Sequence, residues 1–146
     1  MRRLATLACL LLVATGSAVA KDCSPADEEA ADMATDYLTN WQAVRDSYAR
    51  YRQCDDGSIA EGNSEAVVRL LVDKWNTIPE LVALTKQNAD FESWVLKHID
   101  TTVNGEDLES IERNAKENCG DNRKKICSKI SSAASQALQE LTAPAP

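Results

Sequence analysis

From Ser24 onward the apolar residues of this chain recur at steps of three and four, the spacing that gathers side chains on one face of an α-helix. Ser24-Pro25 followed by Asp27, Glu28 and Glu29 is a helix start: a capping hydroxyl, a proline at the first helical position, and carboxylates on the positive end of the dipole. Met33, Tyr37, Trp41, Val44, Tyr48 and Tyr51 continue one stripe, which predicts a helix ending near Gln53. A second helix is predicted from about Ile59 to Trp75, with Val67, Val68, Leu70, Leu71 and Trp75 inward. Thr77-Ile78-Pro79 breaks it, and Thr77 is expected to cap a short helix carrying Leu81, Val82 and Leu84. Asp90 is expected to cap a fourth, with Phe91, Trp94, Val95, His98 and Ile99 on its face and Asn104-Gly105 as its stop. A fifth, from about Glu106 to Asn118, turns Leu108, Ile111 and Ala115 inward and carries Glu109–Arg113 and Glu112–Lys116 pairs outside. After the turn at Cys119–Asn122, a last helix presents Ile126, Ile130, Ala133, Ala134, Ala137, Leu138 and Leu141. No alternating run flanked by hairpin turns competes with these helices. The pattern predicts one all-α domain over residues 21–141, a bundle of five to six helices, with residues 142–146 as a frayed, disordered tail.

The segment before Ser24 reads differently. Arg2 and Arg3 precede an almost unbroken apolar run, Leu4 to Val13, and Gly16-Ser17-Ala18-Val19-Ala20 ends in the small-x-small pattern that a signal peptidase requires. Residues 1–20 are therefore expected to be a cleavable signal peptide. The run is too short for a membrane span, which needs about 20 apolar residues, so no membrane insertion is expected after cleavage. Cys23 follows Lys21-Asp22 and Cys9 lies inside the apolar run, so neither has the small-residue box of a lipoprotein. Cleavage would remove 20 of the 146 residues and leave 126. The short two-arginine leader suits a Gram-negative periplasm, and a eukaryotic secretory route is open.

Export also sharpens the charge. Arg2 and Arg3 are the only charges of the leader, so the formal charge of −7 becomes −9. A chain this acidic does not neutralise a nucleic-acid backbone or seek an anionic membrane surface; it favours basic partners.

Four cysteines remain, Cys23, Cys54, Cys119 and Cys127, which in an oxidising compartment read as two disulfides with three connectivities. Their spacing has no CxxC pair for zinc. If the first helix were continuous, its roughly 28 residues would span about 40 Å and hold Cys23 and Cys54 far beyond the ~6 Å between Cα atoms that a disulfide bridges. Thr39-Asn40-Trp41-Gln42 offers a fresh capping box, and a bend there returns Cys54 to Cys23, leaving Cys119–Cys127 to staple the last two helices. No glycine or proline marks the bend, so a continuous helix with another pairing is the alternative.

Candidate chemistry is sparse. His98 is the single histidine and shares the apolar face of Phe91 and Trp94, where a packed, hydrogen-bonded role is the ordinary one and a catalytic or pH-switching role the exception. No serine sits in a nucleophile elbow, and neither a phosphate loop nor HExxH occurs. The segment Cys54-Asp55-Asp56-Gly57-Ser58-Ile59-Ala60-Glu61-Gly62 concentrates acids beside a cysteine. With Gly57 at position 6 of an EF-hand loop, the ligand positions fall on Arg52, Cys54, Asp56 and Asn63, of which only Asp56 conforms. An irregular cation site on Asp55, Asp56 and Glu61 is the weaker alternative; no metal or cofactor is expected. As a turn the segment does better: glycine frees φ, and Ser58 with Glu61 forms a capping box for the next helix. Gly62 is then left over, its purpose being close packing against another backbone or a later helix start at Asn63-Ser64.

Tyr37, Trp41, Tyr48 and Tyr51, beside Arg45, Arg50 and Arg52, have the spacing of an ordinary buried stripe and the composition of a partner-binding patch. Arg123-Lys124-Lys125 opposes the dipole at a helix N-terminus and reads as a solvated cluster offset by Asp121 and Glu117.

The leader, the small acidic helical domain, the disulfides and the segment Cys54-x-x-Gly57-x-Ile59-x-x-Gly62 together resemble periplasmic immunity proteins, which protect Gram-negative cells against amidase toxins delivered by type VI secretion. The resemblance covers about half of the chain after the leader. It implies a non-enzymatic inhibitor that occludes a toxin's active site, with a protein partner, a basic peptidoglycan hydrolase. The expected partner-binding residues are Asp55, Asp56, Gly57, Glu61, Tyr48 and Tyr51, and no catalytic residue is expected. A structural or chaperone-like envelope protein is the alternative, and a hydrolase using carboxylates and His98 the third reading.

Overall fold

The computed structural model describes residues 22–143; the expected leader and the last three residues of the expected tail lie outside them. Seven α-helices follow in order among the described residues: α1 Pro25–Thr35, α2 Trp41–Tyr51, α3 Gly57–Asp73, α4 Ile78–Thr85, α5 Ala89–Lys97, α6 Gly105–Glu117 and α7 Lys124–Thr142. Short 3-10 turns occupy Arg52–Cys54, Trp75–Thr77 and Asp121–Arg123. The fold is all-α, with seven helices where five to six were expected.

The extra helix arises at the bend. The chain leaves α1 at Asp36 and restarts on Asn40, whose extended backbone and Oδ1, accepting from Ala43 N at 2.9 Å, cap α2. Asn40 is thus the cap, not Thr39, and Gln42 donates to Asp46 Oδ1 instead of closing a box. The single stripe expected from Met33 to Tyr51 is split: Met33 and Tyr37 are 60% and 75% exposed, whereas Trp41 and Val44 are fully buried. Both disulfides form, Cys23–Cys54 and Cys119–Cys127, with Cα atoms 5.0 and 6.2 Å apart.

Two other caps differ from expectation for one reason: the residue two positions before the expected acid or hydroxyl has the extended backbone. Asp56, not Ser58, caps α3; its Oδ1 accepts from Gly57 N, and Gly57 takes φ +51, the one positive φ among the described residues. Asn88, not Asp90, caps α5 by accepting from Phe91 N. Asn104 does not stop the fourth helix, which ends at Lys97; it caps α6 by accepting from Asp107 N. Thr77 makes no capping bond; its hydroxyl accepts from Trp41 Nε1 at 2.9 Å and donates to Lys74 O. α7 continues through Thr142, one residue into the expected tail, and Leu141 is 44% exposed.

One core unites all but α1: Trp41, Val67, Leu71, Ile78, Leu81, Phe91, Leu108, Ile111 and Ile130 are each 2% exposed or less. α1 stands on a separate small cluster in which Ala31, Cys54 and Ile59 pack with Cys23 and Tyr51. The disulfide therefore does for α1 what core burial does for the other helices. Of the surface pairs, Lys116 reaches Glu112 at 2.7 Å, while Arg113 donates to Ser110 Oγ.

Gly62 has its purpose here. A Cβ at this position would lie 2.8 Å from both Cβ and Cγ2 of Thr35, so the glycine lets α1 and α3 approach. Gly62→Ala is expected to cost about 1–3 kcal/mol through overpacking, despite the helix propensity gained; urea unfolding of the oxidised protein reads it, and an unchanged or raised midpoint refutes the close-packing account. The disulfides differ in loop length, 31 residues against 8. Replacing both cysteines of the longer loop by serine is therefore expected to cost about 3–4 kcal/mol, against about 2–3 for the shorter, in paired urea titrations.

Candidate functional site

The segment that follows Cys54 faces two ways. Its backbone emerges from the 3-10 turn at Arg52–Cys54, fixed by the disulfide, and enters α3 through the cap on Asp56. Asp55 sits at the centre of a tight turn, with φ −77 and ψ 72 and Asp56 N donating to Cys54 O, and only Asp56 has extended backbone; Asp56 is exposed while the Asp55 side chain is only 6% exposed.

The outward side is a groove of ≈ 670 Å³ between the first half of α1 and the Cys54–Ile59 segment. Glu28, Glu29, Asp32 and Asp56 supply its carboxylates, and the Cys23–Cys54 bridge, Gln53, Gly57 and Ser58 complete the walls. Ser58 Oγ donates to Asp32 Oδ1 at 3.2 Å, tying α3 to α1 across the groove. Among the described residues, four acids and no cation line this surface. Among the described residues no group of three or more His, Cys, Asp or Glu side chains has the geometry to hold a metal ion. The alternative cation site on Asp55, Asp56 and Glu61 fails because Asp55 is turned inward.

The inward side is a polar network under the segment. Asp55 Oδ2 accepts from Trp94 Nε1 at 2.9 Å and Lys97 Nζ at 3.3 Å, and faces His98 Nε2 at 3.2 Å; Asn63 Nδ2 donates to Oδ1 at 3.0 Å. His98 Nδ1 lies 2.9 Å from Ser64 Oγ, and that oxygen lies 3.1 Å from Asp100 Oδ2. Burial raises the Asp55 carboxyl, but the hydrogen bonds from His98 and Asn63 and the positive charge of His98 and Lys97 outweigh it and hold the group far below the usual carboxylate range. The edge of the Trp94 ring meets His98 with centroids 4.1 Å apart.

Ser64, His98 and Asp55 repeat the connectivity of a nucleophilic triad, with the roles of the two ring nitrogens exchanged relative to the usual one. Ser64 and His98 are each 2% exposed, so in this conformation no substrate carbonyl reaches Ser64 Oγ. The arrangement ties the Asp55 corner to α3 and to the end of α5.

The expected partner-binding residues are divided accordingly. Asp56 and Gly57 line the groove, and Glu61 is exposed on α3. Asp55 belongs to the buried network. Tyr48 is 7% exposed, its ring 5.2 Å from Phe91 and 5.5 Å from Trp94, with Arg52 over its outer face. Tyr51 is half-buried against the small cluster under α1. Glu28 and Glu29 read in the sequence as part of a helix start, and Asp32 carries no signal there; the groove they share with Asp56 follows from the fold-back that joins Cys23 to Cys54. Lys124 of the basic cluster pairs with Asp121 at 2.8 Å. Ser64 and Asn63 had one signal: they are polar residues within the otherwise apolar inner face of α3, one turn before Val67 and Val68.

A carboxylate whose folded pKa is depressed contributes stability that is fully present above its ordinary range, near ~4, and is lost as pH falls. Asp55→Asn is expected to lower stability at pH 7 by about 3 kcal/mol, since it leaves buried donors mismatched, and to flatten the loss of urea midpoint between about pH 5 and pH 2. An equal acid slope in wild type and variant sinks this assignment. Compared with known proteins, the chain finds no matching family model, no matching curated protein and no matching solved structure.

Proposed function

We propose that this chain is an exported, periplasmic binding protein without catalytic activity of its own, an immunity-type inhibitor that grips a basic cell-wall-degrading enzyme. The observation that carries the reading is the acidic groove: Glu28, Glu29, Asp32 and Asp56 converge on one concavity whose wall is a disulfide. Charge of one sign in a cleft raises the encounter rate with a partner of the opposite sign. A groove held rigid by Cys23–Cys54 and by the Ser58–Asp32 bond loses little entropy on binding. The signal-peptide pattern and the two disulfides support an oxidising compartment outside the cytoplasm. Among the described residues no helix is long and apolar enough to cross a membrane. The buried Ser64 and His98 support a structural use of the one serine–histidine pair in place of a hydrolytic one.

The reading is tested with the oxidised protein lacking residues 1–20. It is expected to form a stable complex with a peptidoglycan hydrolase from periplasmic extract, to inhibit it, and to release it as salt is raised. Glu28→Lys combined with Glu29→Lys, both exposed helix positions, is expected to weaken the complex about tenfold or more, at ~1.4 kcal/mol per tenfold, with circular dichroism unchanged. Inhibition that survives the double charge reversal moves the interface away from the groove; failure to inhibit any such hydrolase removes the inhibitor reading.

A further inference from the structure

The proton count in the network beneath the groove does not close with a neutral histidine. Ser64 Oγ has one hydrogen and two neighbours that could take it, His98 Nδ1 at 2.9 Å and Asp100 Oδ2 at 3.1 Å. Asp100 is a carboxylate, an acceptor only, and its other oxygen already accepts from Thr102 N and Thr102 Oγ1. If the hydroxyl donated to Nδ1, two oxygens would face each other across 3.1 Å with no hydrogen between them. The contact is satisfied when Ser64 donates to Asp100 and accepts from Nδ1–H. On the other side of the ring, Nε2 faces Asp55 Oδ2, also an acceptor, at 3.2 Å. Both ring nitrogens then donate.

We propose that His98 carries a proton on both nitrogens in the folded protein at neutral pH and serves as a cationic clasp, joining Asp55 directly and Asp100 through Ser64, so that the Cys54–Gly57 corner is released when one proton is lost. The inference goes beyond the binding reading and does not depend on what the groove holds.

The surroundings favour the charge. A charged group 2% exposed persists only when paired and fully hydrogen-bonded, and His98 has a carboxylate on one side and a hydroxyl relay to a second on the other. Lys97, on the same helix, reaches Asp55 Oδ2 from the solvent side. From α7, Glu140 lines a surface groove together with Lys97 and Asp100. From α2, Tyr48 packs on Trp94 with Arg52 over its ring. The two cations nearest the network are His98 and Lys97, against the carboxylates Asp55 and Asp100. The clasp ties the segment after the 3-10 turn to α3 and to the loop after α5, so it governs the wall that Asp56 and Gly57 give to the groove. Its direction follows: the corner is held while the imidazolium persists and loosens as pH rises through its deprotonation.

His98 is the single histidine of the chain, which makes the test direct. Nitrogen-15 shifts of the ring in the labelled, full-length oxidised domain at neutral pH are expected to report two protonated nitrogens. As pH rises and one proton leaves, amide protection at residues 55–58, corrected for the intrinsic exchange rate, is expected to fall about tenfold. Asp100→Asn supplies the decisive variant: its amide donates to Ser64, which frees the hydroxyl to donate to Nδ1, and the ring is expected to become neutral with hydrogen on Nε2 at the same pH. A wild-type ring with one bare nitrogen at neutral pH overturns the proposal, as does an Asp100→Asn ring in the wild-type state. Deprotonation that leaves protection at residues 55–58 unchanged overturns the clasp.

Discussion

A disulfide bridges Cα atoms only within about 7 Å, and this reach, applied to Cys23 and Cys54, is the constraint on which the shape of the molecule depends. Thirty-one residues separate the two cysteines, and two eleven-residue helices lie between them. They can meet only if α1 and α2 fold back on each other at residues 36–40. Once they do, α1 lies along α3, Gly62 is pressed against Thr35, and the Cys54–Gly57 corner is pinned at both of its ends. α1 places only Ala31 in a buried cluster, so its apolar burial is slight. The covalent bond supplies what burial does not.

The pinned corner explains why two adjacent acids behave so differently. A tight turn at Asp55 sends the two side chains to opposite sides of a segment fixed by a disulfide and a helix start. Asp56 joins the acids of α1 at the groove, where water screens them and a cationic partner can meet them. Asp55 enters a place with little water, where it must be matched donor by donor: Trp94, Lys97, His98 and Asn63. A carboxylate so matched resists protonation, and a mismatch there costs more than any surface pair returns. The outer acids set what the surface attracts, and the inner acid sets how firmly that surface is held.

Much of the architecture is legible in the chain because the helical signals are local. The periodicity of Val67, Val68, Leu70 and Leu71, of Phe91, Trp94 and Val95, and of Leu108, Ile111 and Ala115 places each on the buried face observed. The cysteine spacing, with the reach argument, led to the pairing found while leaving another open. Local cues failed where two residues competed for one job. Asn40, Asn88 and Asp56 won the cap over Thr39, Asp90 and Ser58 because the cap goes to whichever residue has extended backbone as its neighbours enter the helix, and tertiary packing sets that. The stripe from Met33 to Tyr51 failed for a related reason: a periodicity of three and four runs unbroken through residues that a bend later turns to opposite sides.

Fold class, the positions of most helices, the acidic charge and the cysteine inventory are local properties, since each depends on residue identity or on spacing within a few turns. The packing of the helices brings Glu28, Glu29 and Asp32 into one groove with Asp56, and joins Asp55, Ser64, His98 and Asp100 in one network. The contacts that join these groups span long stretches of chain and exist because the helices fold back, as in the 43 positions between Asp55 and His98 and the 34 between His98 and Ser64. Contacts over such separations are set by the packing of whole helices and by a covalent bridge, and no local pattern of residues encodes them.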